Sequence, residues 1–168
     1  MSDSSTQDRL LPCLLERLSD DDPSSQKESR EQRVVSLKRY RESVLRDLQA
    51  LLNTTRCLSR DEIAEFAEVA GSVVNYGSPN LCGLSVSGVS IEQLEREVTA
   101  VIAHFEPRID RDTLAVKASV RPEDMTGNAL SFAIEGELWA RPMPEQLYLR
   151  TELDLETGRV NIQGRLNG

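Results

Sequence analysis

Hydrophobic positions along the chain change their period near residue 107, dividing the sequence into a helical part and a strand part. Over residues 34–52, Leu37, Tyr40, Val44, Leu48 and Leu51 recur every three or four positions, while Lys38, Arg39, Arg41 and Asp47 fall off that stripe. The spacing predicts one amphipathic helix. Ser59-Arg60-Asp61-Glu62 reads as a capping box, Ser59 accepting from the Glu62 amide and the Glu62 carboxylate reaching back, with a short helix to about Ala70. Residues 72–88, rich in Gly, Ser, Asn and Pro, read as a loop. Ser90 and Gln93 form a second capping box. Behind it Ile91, Leu94, Val98, Val101 and Phe105 share a face, and Pro107 stops the helix.

Beyond Pro107 the period is 2. Leu114, Val116, Ala118 and Val120 alternate with polar neighbours, as do Leu130, Phe132, Ile134 and Leu138 after the turn-forming residues 122–128. Leu147, Leu149, Leu153 and Leu155 make a third run, and Val160, Ile162 and Leu166 a fourth. The Glu156-Thr157-Gly158 turn between these two predicts a hairpin. Helices first and alternating strands second give an α+β fold. N-terminal helices are expected on one face of a small, mainly antiparallel sheet of about four strands formed by the C-terminal half.

Ahead of this domain, assigned to residues 34–168, residues 1–33 read as a flexible segment carrying a short amphipathic helix. Leu11, Leu14, Leu15 and Leu18 would share one face of that helix, with Pro12 in its first turn. Two turns are not stable alone in water, so either the main domain or a partner must cover the segment; a docking role on a partner is expected ahead of packing on its own core.

Composition narrows the function by exclusion. The 168 residues carry a net charge of −8, which argues against a nucleic-acid partner, because neutralising phosphates needs a basic surface. Cys13, Cys57 and Cys82 form no CxxC pair, the N-terminus lacks the pattern of a signal peptide, and no apolar run is long enough to span a membrane. A cytoplasmic protein without direct membrane insertion is expected.

Candidate chemistry is sparse. Glu135 and Glu137, at i and i+2 of a strand, point the same way roughly 7 Å apart, a separation that could serve an acid/base pair on a glycosidic bond. Both occupy the polar phase of the strand, where charges are simply solvated. His104 is the only histidine, at a helix end where a cation suits the dipole. There is no HExxH, GxSxG, Walker A or GxGxxG motif, so neither a catalytic set, a metal nor a cofactor is expected. Glu106-Pro107-Arg108 stands apart. Pro107 fixes the helix exit and biases Glu106 away from helical dihedrals, so two opposite charges would be offered on a rigid corner, suited to bidentate pairing with a partner. The plainer reading is a helix stop with an incidental ion pair.

Five segments occur in an order that resembles a known family: residues 14–23 (LLERLSDDDP), 41–54 (RESVLRDLQALLNT), 72–81 (SVVNYGSPNL), 105–109 (FEPRI) and 150–158 (RTELDLETG). Together they resemble TssE, the type VI secretion baseplate subunit, similar to phage tail baseplate wedge proteins of the GPW/lysozyme-like family. The resemblance implies a non-catalytic structural role at a baseplate docked on the inner membrane. It also implies that Glu106, Pro107 and Arg108 bind a partner, fastening the subunit to a wedge core of TssF and TssG. Further implied partners are the TssB–TssC sheath, for which the sheet would be a first template, and baseplate proteins such as TssK. One departure is Ser78, where a bulkier apolar residue is expected after Asn75-Tyr76-Gly77. The sequence ends shortly after its last strand, so an uncovered sheet edge is expected there, open to strand addition. The alternative function is a peptidoglycan hydrolase using Glu135 and Glu137.

Overall fold

The computed structural model describes residues 13, 14, 18, 37–58, 60–82, 90–119, 129–140 and 144–164. Helix α1 (Leu37–Asn53) is followed by two short helices, α2 (Arg60–Glu65) and α3 (Ala67–Ala70), a 3-10 turn at Val73–Asn75, and helix α4 (Ile91–Phe105). Four strands follow among the described residues: β1 (Ala115–Ser119), β2 (Ala129–Leu138), β3 (Glu145–Asp154) and β4 (Val160–Gly164). The strands pair in the order β1-β2-β3-β4, every neighbour antiparallel. The fold is α+β, helices first and an open antiparallel sheet second.

Both long helices bury the expected stripes. In α1, Tyr40, Val44, Leu48 and Leu51 are buried together with Leu52, while Leu37 at the helix start stays exposed. In α4, Leu94, Val98 and Val101 are buried as expected, together with Ile102, while Ile91 and Phe105 at the two helix ends are half-buried. At about 1.5–3 kcal/mol for each large apolar side chain removed from water, these stripes supply much of what holds the helices on the sheet. The sheet meets them with alternate residues: Leu130, Phe132, Ile134 and Leu138 of β2, and Leu147, Leu149 and Leu153 of β3, are all buried. Thr151 interrupts this series. It is fully buried in the apolar phase, and its hydroxyl faces the Phe132 carbonyl at 3.4 Å.

The Ser90 cap is only half a capping box. Ser90 Oγ accepts from the Gln93 amide at 3.3 Å, but the Gln93 side chain donates to Glu97 Oε1 at 3.1 Å, one turn ahead, instead of reaching back. An i,i+4 partner on the same helix face outcompetes the return bond. Ser59, residues 83–89 and 120–128, Leu166 and most of the N-terminal segment lie outside the described residues. Within that segment Leu14 and Leu18 have exposed side chains. The final hairpin forms as expected: Gly158 takes φ 68°, its amide donates to the Asp154 carbonyl at 2.7 Å, and Asp154 Oδ1 accepts from Glu156 and Thr157.

The loop after the 3-10 turn is tied to the end of α1. Gly77 has φ 129°, and a Cβ there would sit 2.4 Å from the Thr54 carbonyl oxygen. Beside it Ser78 is buried, and its Oγ donates to the Leu52 carbonyl at 3.0 Å. Helix ends leave carbonyls without intrahelical donors, and Ser78 supplies one. A bulkier apolar residue could not, which accounts for the departure at that position. Buried Asn75 works the same loop from its other side, accepting from the Leu58 amide at 3.1 Å and donating to the Ala70 carbonyl at 3.2 Å.

The β4 edge departs from the sequence expectation. It is covered along Val160 to Ile162 by side-chain amides of Gln49 and Asn53, which project from α1.

Candidate functional site

Helix α4 ends where Pro107 forces it to. Glu106 is its C-cap, with φ −120° and ψ 76°, and its amide still donates to the Ile102 carbonyl at 2.8 Å. The chain then turns and pairs briefly with the end of β2. Ile109 bridges Leu138, the Trp139 amide donates to the Arg108 carbonyl at 2.8 Å, and the Asp110 amide donates to the Glu137 carbonyl at 2.8 Å. The main chain of the corner is therefore pinned to the sheet.

Its side chains are pinned to α1. Arg108 Nε donates to Glu106 Oε1 at 2.6 Å and Nη2 to Glu106 Oε2 at 2.5 Å, a forked charge-assisted pair. The same Nη2 reaches Asp47 Oδ2 at 2.6 Å, and Nη1 donates to Ser43 Oγ at 3.0 Å. Ser43 passes its own hydroxyl hydrogen to the Tyr40 carbonyl at 2.9 Å. Tyr40 in turn donates its phenol to the Trp139 carbonyl at 3.0 Å. One guanidinium thus joins α1, the end of α4 and, through its own backbone, β2.

This differs from two charges offered outward. Glu106 is 3 % exposed and its carboxylate is turned into the fold. Pro107 is the exposed member, and Arg108 is partly covered. Burial works against the charge on Arg108, but the hydrogen bonds and negative charge of Glu106, then of Asp47, outweigh it and hold the guanidinium pKa above its ordinary value.

Beside the corner lies an open cleft of about 370 Å³. Leu51, Tyr76, Phe105 and Pro107 give it apolar walls, Asp47 and Arg108 charged ones, and Cys13 of the N-terminal segment borders it. The Tyr76 ring meets Phe105 edge-on, centroids 5.3 Å apart. Burial raises the Tyr76 phenol pKa, with Asp47 and then Glu106 adding to the shift. An apolar floor with a charged rim is suited to gripping another protein.

Sequence reasoning named the three residues of the corner and missed those that hold them. Ser43 and Asp47 are one helical turn apart at the margin of the Tyr40–Leu51 stripe, and that i,i+4 spacing was the available signal. The other candidates lie elsewhere. Glu135 is exposed on the outer face of β2, and Glu137 Oε1 accepts from the Gln146 side chain on β3 at 2.6 Å, so this carboxylate braces a neighbouring strand. His104 Nε2 contacts the Gly71 carbonyl; since a carbonyl only accepts, Nε2 carries the hydrogen, and the ring fastens α4 to the end of α3. A Cβ on Gly71 would meet that ring at 2.6 Å. Among the described residues no helix is long and apolar enough to cross a membrane.

No curated protein and no solved structure matches the chain. The family model of the baseplate wedge protein gp25, by contrast, matches residues 38–143. That span runs from the start of α1 past the end of β2 and takes in both Asp47 and the whole Glu106-Pro107-Arg108 corner. The chain belongs to the baseplate wedge protein gp25 family.

Proposed function

We propose that this subunit is the joint between wedge core and sheath in a type VI secretion baseplate. Family membership carries the coarser part, a structural role in a phage-tail-like baseplate. The resemblance to TssE supports the finer part, in which a TssF–TssG core binds one side of the subunit and the TssB–TssC sheath the other, with TssK among the neighbouring baseplate proteins. The observation that carries the reading is the corner itself. Glu106, Arg108, Asp47 and Ser43 form a brace that fixes Pro107 and the cleft beside it in one geometry. Preorganised surfaces bind tightly because little conformational entropy remains to be lost on docking. Glu106 and Arg108 therefore act mainly by positioning, and Pro107 with Tyr76, Phe105 and the open flank of Arg108 makes the contact.

In the test, the tagged full chain is co-expressed with TssF and TssG. Pro107→Ala removes an exposed ring and the rigid exit while touching none of the ion pairs. Recovery of TssF–TssG is expected to fall with the melting temperature nearly unchanged. Undiminished recovery removes the corner from the interface.

A further inference from the structure

In an antiparallel ladder successive residues of a strand turn their N–H and C=O groups alternately toward the partner strand and away from it. The Asp154 amide donates to the Arg159 carbonyl at 2.9 Å, so position 159 faces β3, and with it Asn161 and Gln163. Val160 and Ile162 therefore point their main-chain groups outward, toward where a fifth strand would lie. Those groups are met by side chains. The Val160 amide donates to Asn53 Oδ1 at 3.0 Å, and the Val160 carbonyl accepts from Asn53 Nδ2 at 2.8 Å and from Gln49 Nε2. The Ile162 amide donates to Gln49 Oε1 at 3.0 Å.

A primary amide carries a donor and an acceptor with the chemistry of a peptide group. Gln49 and Asn53, one helical turn apart on α1, thus reproduce the main-chain pattern of an adjacent strand. The opposite edge is treated alike at one point, where Glu95 of α4 accepts from the Ala118 amide of β1 at 2.7 Å.

We infer that Gln49 and Asn53 are a strand surrogate that closes the β4 edge of the free subunit and prevents it from pairing with a second copy of the chain. An exposed edge with unpaired main-chain groups is a template for self-association, and β4 is too short and polar on its outer face to specify a register against wrong partners. Side-chain amides are exchangeable where a covalent or helical cover is not. A strand entering here has only to swing two side chains aside, trading amide hydrogen bonds for peptide ones.

The test is the solution mass of the full chain over a concentration series, by light scattering after size exclusion. The native chain and the single variants are expected to be monomeric. Gln49→Ala combined with Asn53→Ala is expected to gain mass with concentration while keeping its circular dichroism. Adding Asn161→Lys and Gln163→Lys, on the exposed face of β4, is expected to restore the monomer, since edge lysines oppose pairing. A folded double variant that stays monomeric overturns the inference, as does self-association that the lysines leave unchanged. Amide exchange gives an independent reading should the double variant fail to fold. Gln49→Ala alone must expose the Ile162 amide and Asn53→Ala alone the Val160 amide. Unchanged protection at both would mean that the side chains do not cover the edge.

Discussion

Arg108 and Asp47 lie 61 positions apart in the chain and 2.6 Å apart in the fold. Their ion pair shares its guanidinium with Glu106, whose side chain is 4 % exposed, against 19 % for Arg108 and 31 % for Asp47. The gradient decides which member matters most for stability. Removing Asp47 leaves Arg108 still forked on Glu106. Removing Arg108 strands a buried carboxylate.

Arg108→Ala is accordingly expected to destabilise the fold by about 3 kcal/mol, near the lower end for a broken buried pair because solvent reaches part of the site. Asp47→Ala should cost only about 1 kcal/mol, as a largely surface pair. Urea titration of both variants checks the order. Equal costs would show that Glu106 is solvated rather than dependent on Arg108.

The loop at the end of α1 offers a second check. Gly77→Ala combines a positive φ with a Cβ 2.4 Å from a backbone oxygen, and is expected to cost at least about 2 kcal/mol. Ser78→Ala removes a buried donor from the Leu52 carbonyl and should cost about 1–2 kcal/mol. Thermal melts that rank Ser78→Ala above Gly77→Ala would contradict the geometry.

Alkaline pH tests the tyrosines that flank the site. Burial raises the Tyr40 phenol pKa; Arg108 opposes the shift and Glu106 adds to it. Tyr76 is raised as well. A phenol whose folded pKa exceeds its unfolded value of 10.0 keeps its proton in the native state after the unfolded chain has lost it. Its contribution is thus complete below pH 10 and is lost as pH rises through the folded value. Stability should fall above pH 10 more steeply in the native chain than in Tyr40→Phe. Parallel pH profiles would show that Tyr40 ionises as it does when unfolded.

Much of this architecture was legible in the sequence because periodicity reports burial directly. The Tyr40–Leu51 stripe, the α4 stripe and the alternating strands are local patterns, each imposed by one face meeting the core. The corner was legible as a motif, since Pro107 marks a forced helix exit. Its electrostatics were not. Whether a Glu and an Arg two positions apart face outward or inward depends on which helix packs beside them, and Ser43 and Asp47 become their partners only once the chain has folded back. The covered β4 edge escaped for the same reason. Gln49 and Asn53 look like ordinary polar positions on a helix until α1 is laid along the sheet.

Glu135→Gln with Glu137→Gln tests the hydrolase alternative. Purified native chain is expected to leave a peptidoglycan suspension intact, and the double variant should assemble with its partners as the native chain does. Clearing by the native protein that the substitutions abolish would reinstate a catalytic role.

The proposed joint between this subunit and a wedge core is tested most directly by Arg108→Lys. Lysine retains the positive charge beside Glu106 and Asp47 but cannot form the planar fork that fixes the corner. The measurement is the affinity of the folded variant for a purified TssF–TssG complex, with circular dichroism and melting temperature recorded on the same sample. Binding is expected to weaken by about tenfold or more, because Pro107 and the cleft beside it lose their fixed geometry and must be ordered on docking, while the secondary structure persists. A folded Arg108→Lys chain that binds TssF–TssG as tightly as the native protein would contradict the assignment of the Glu106-Pro107-Arg108 corner to the wedge interface.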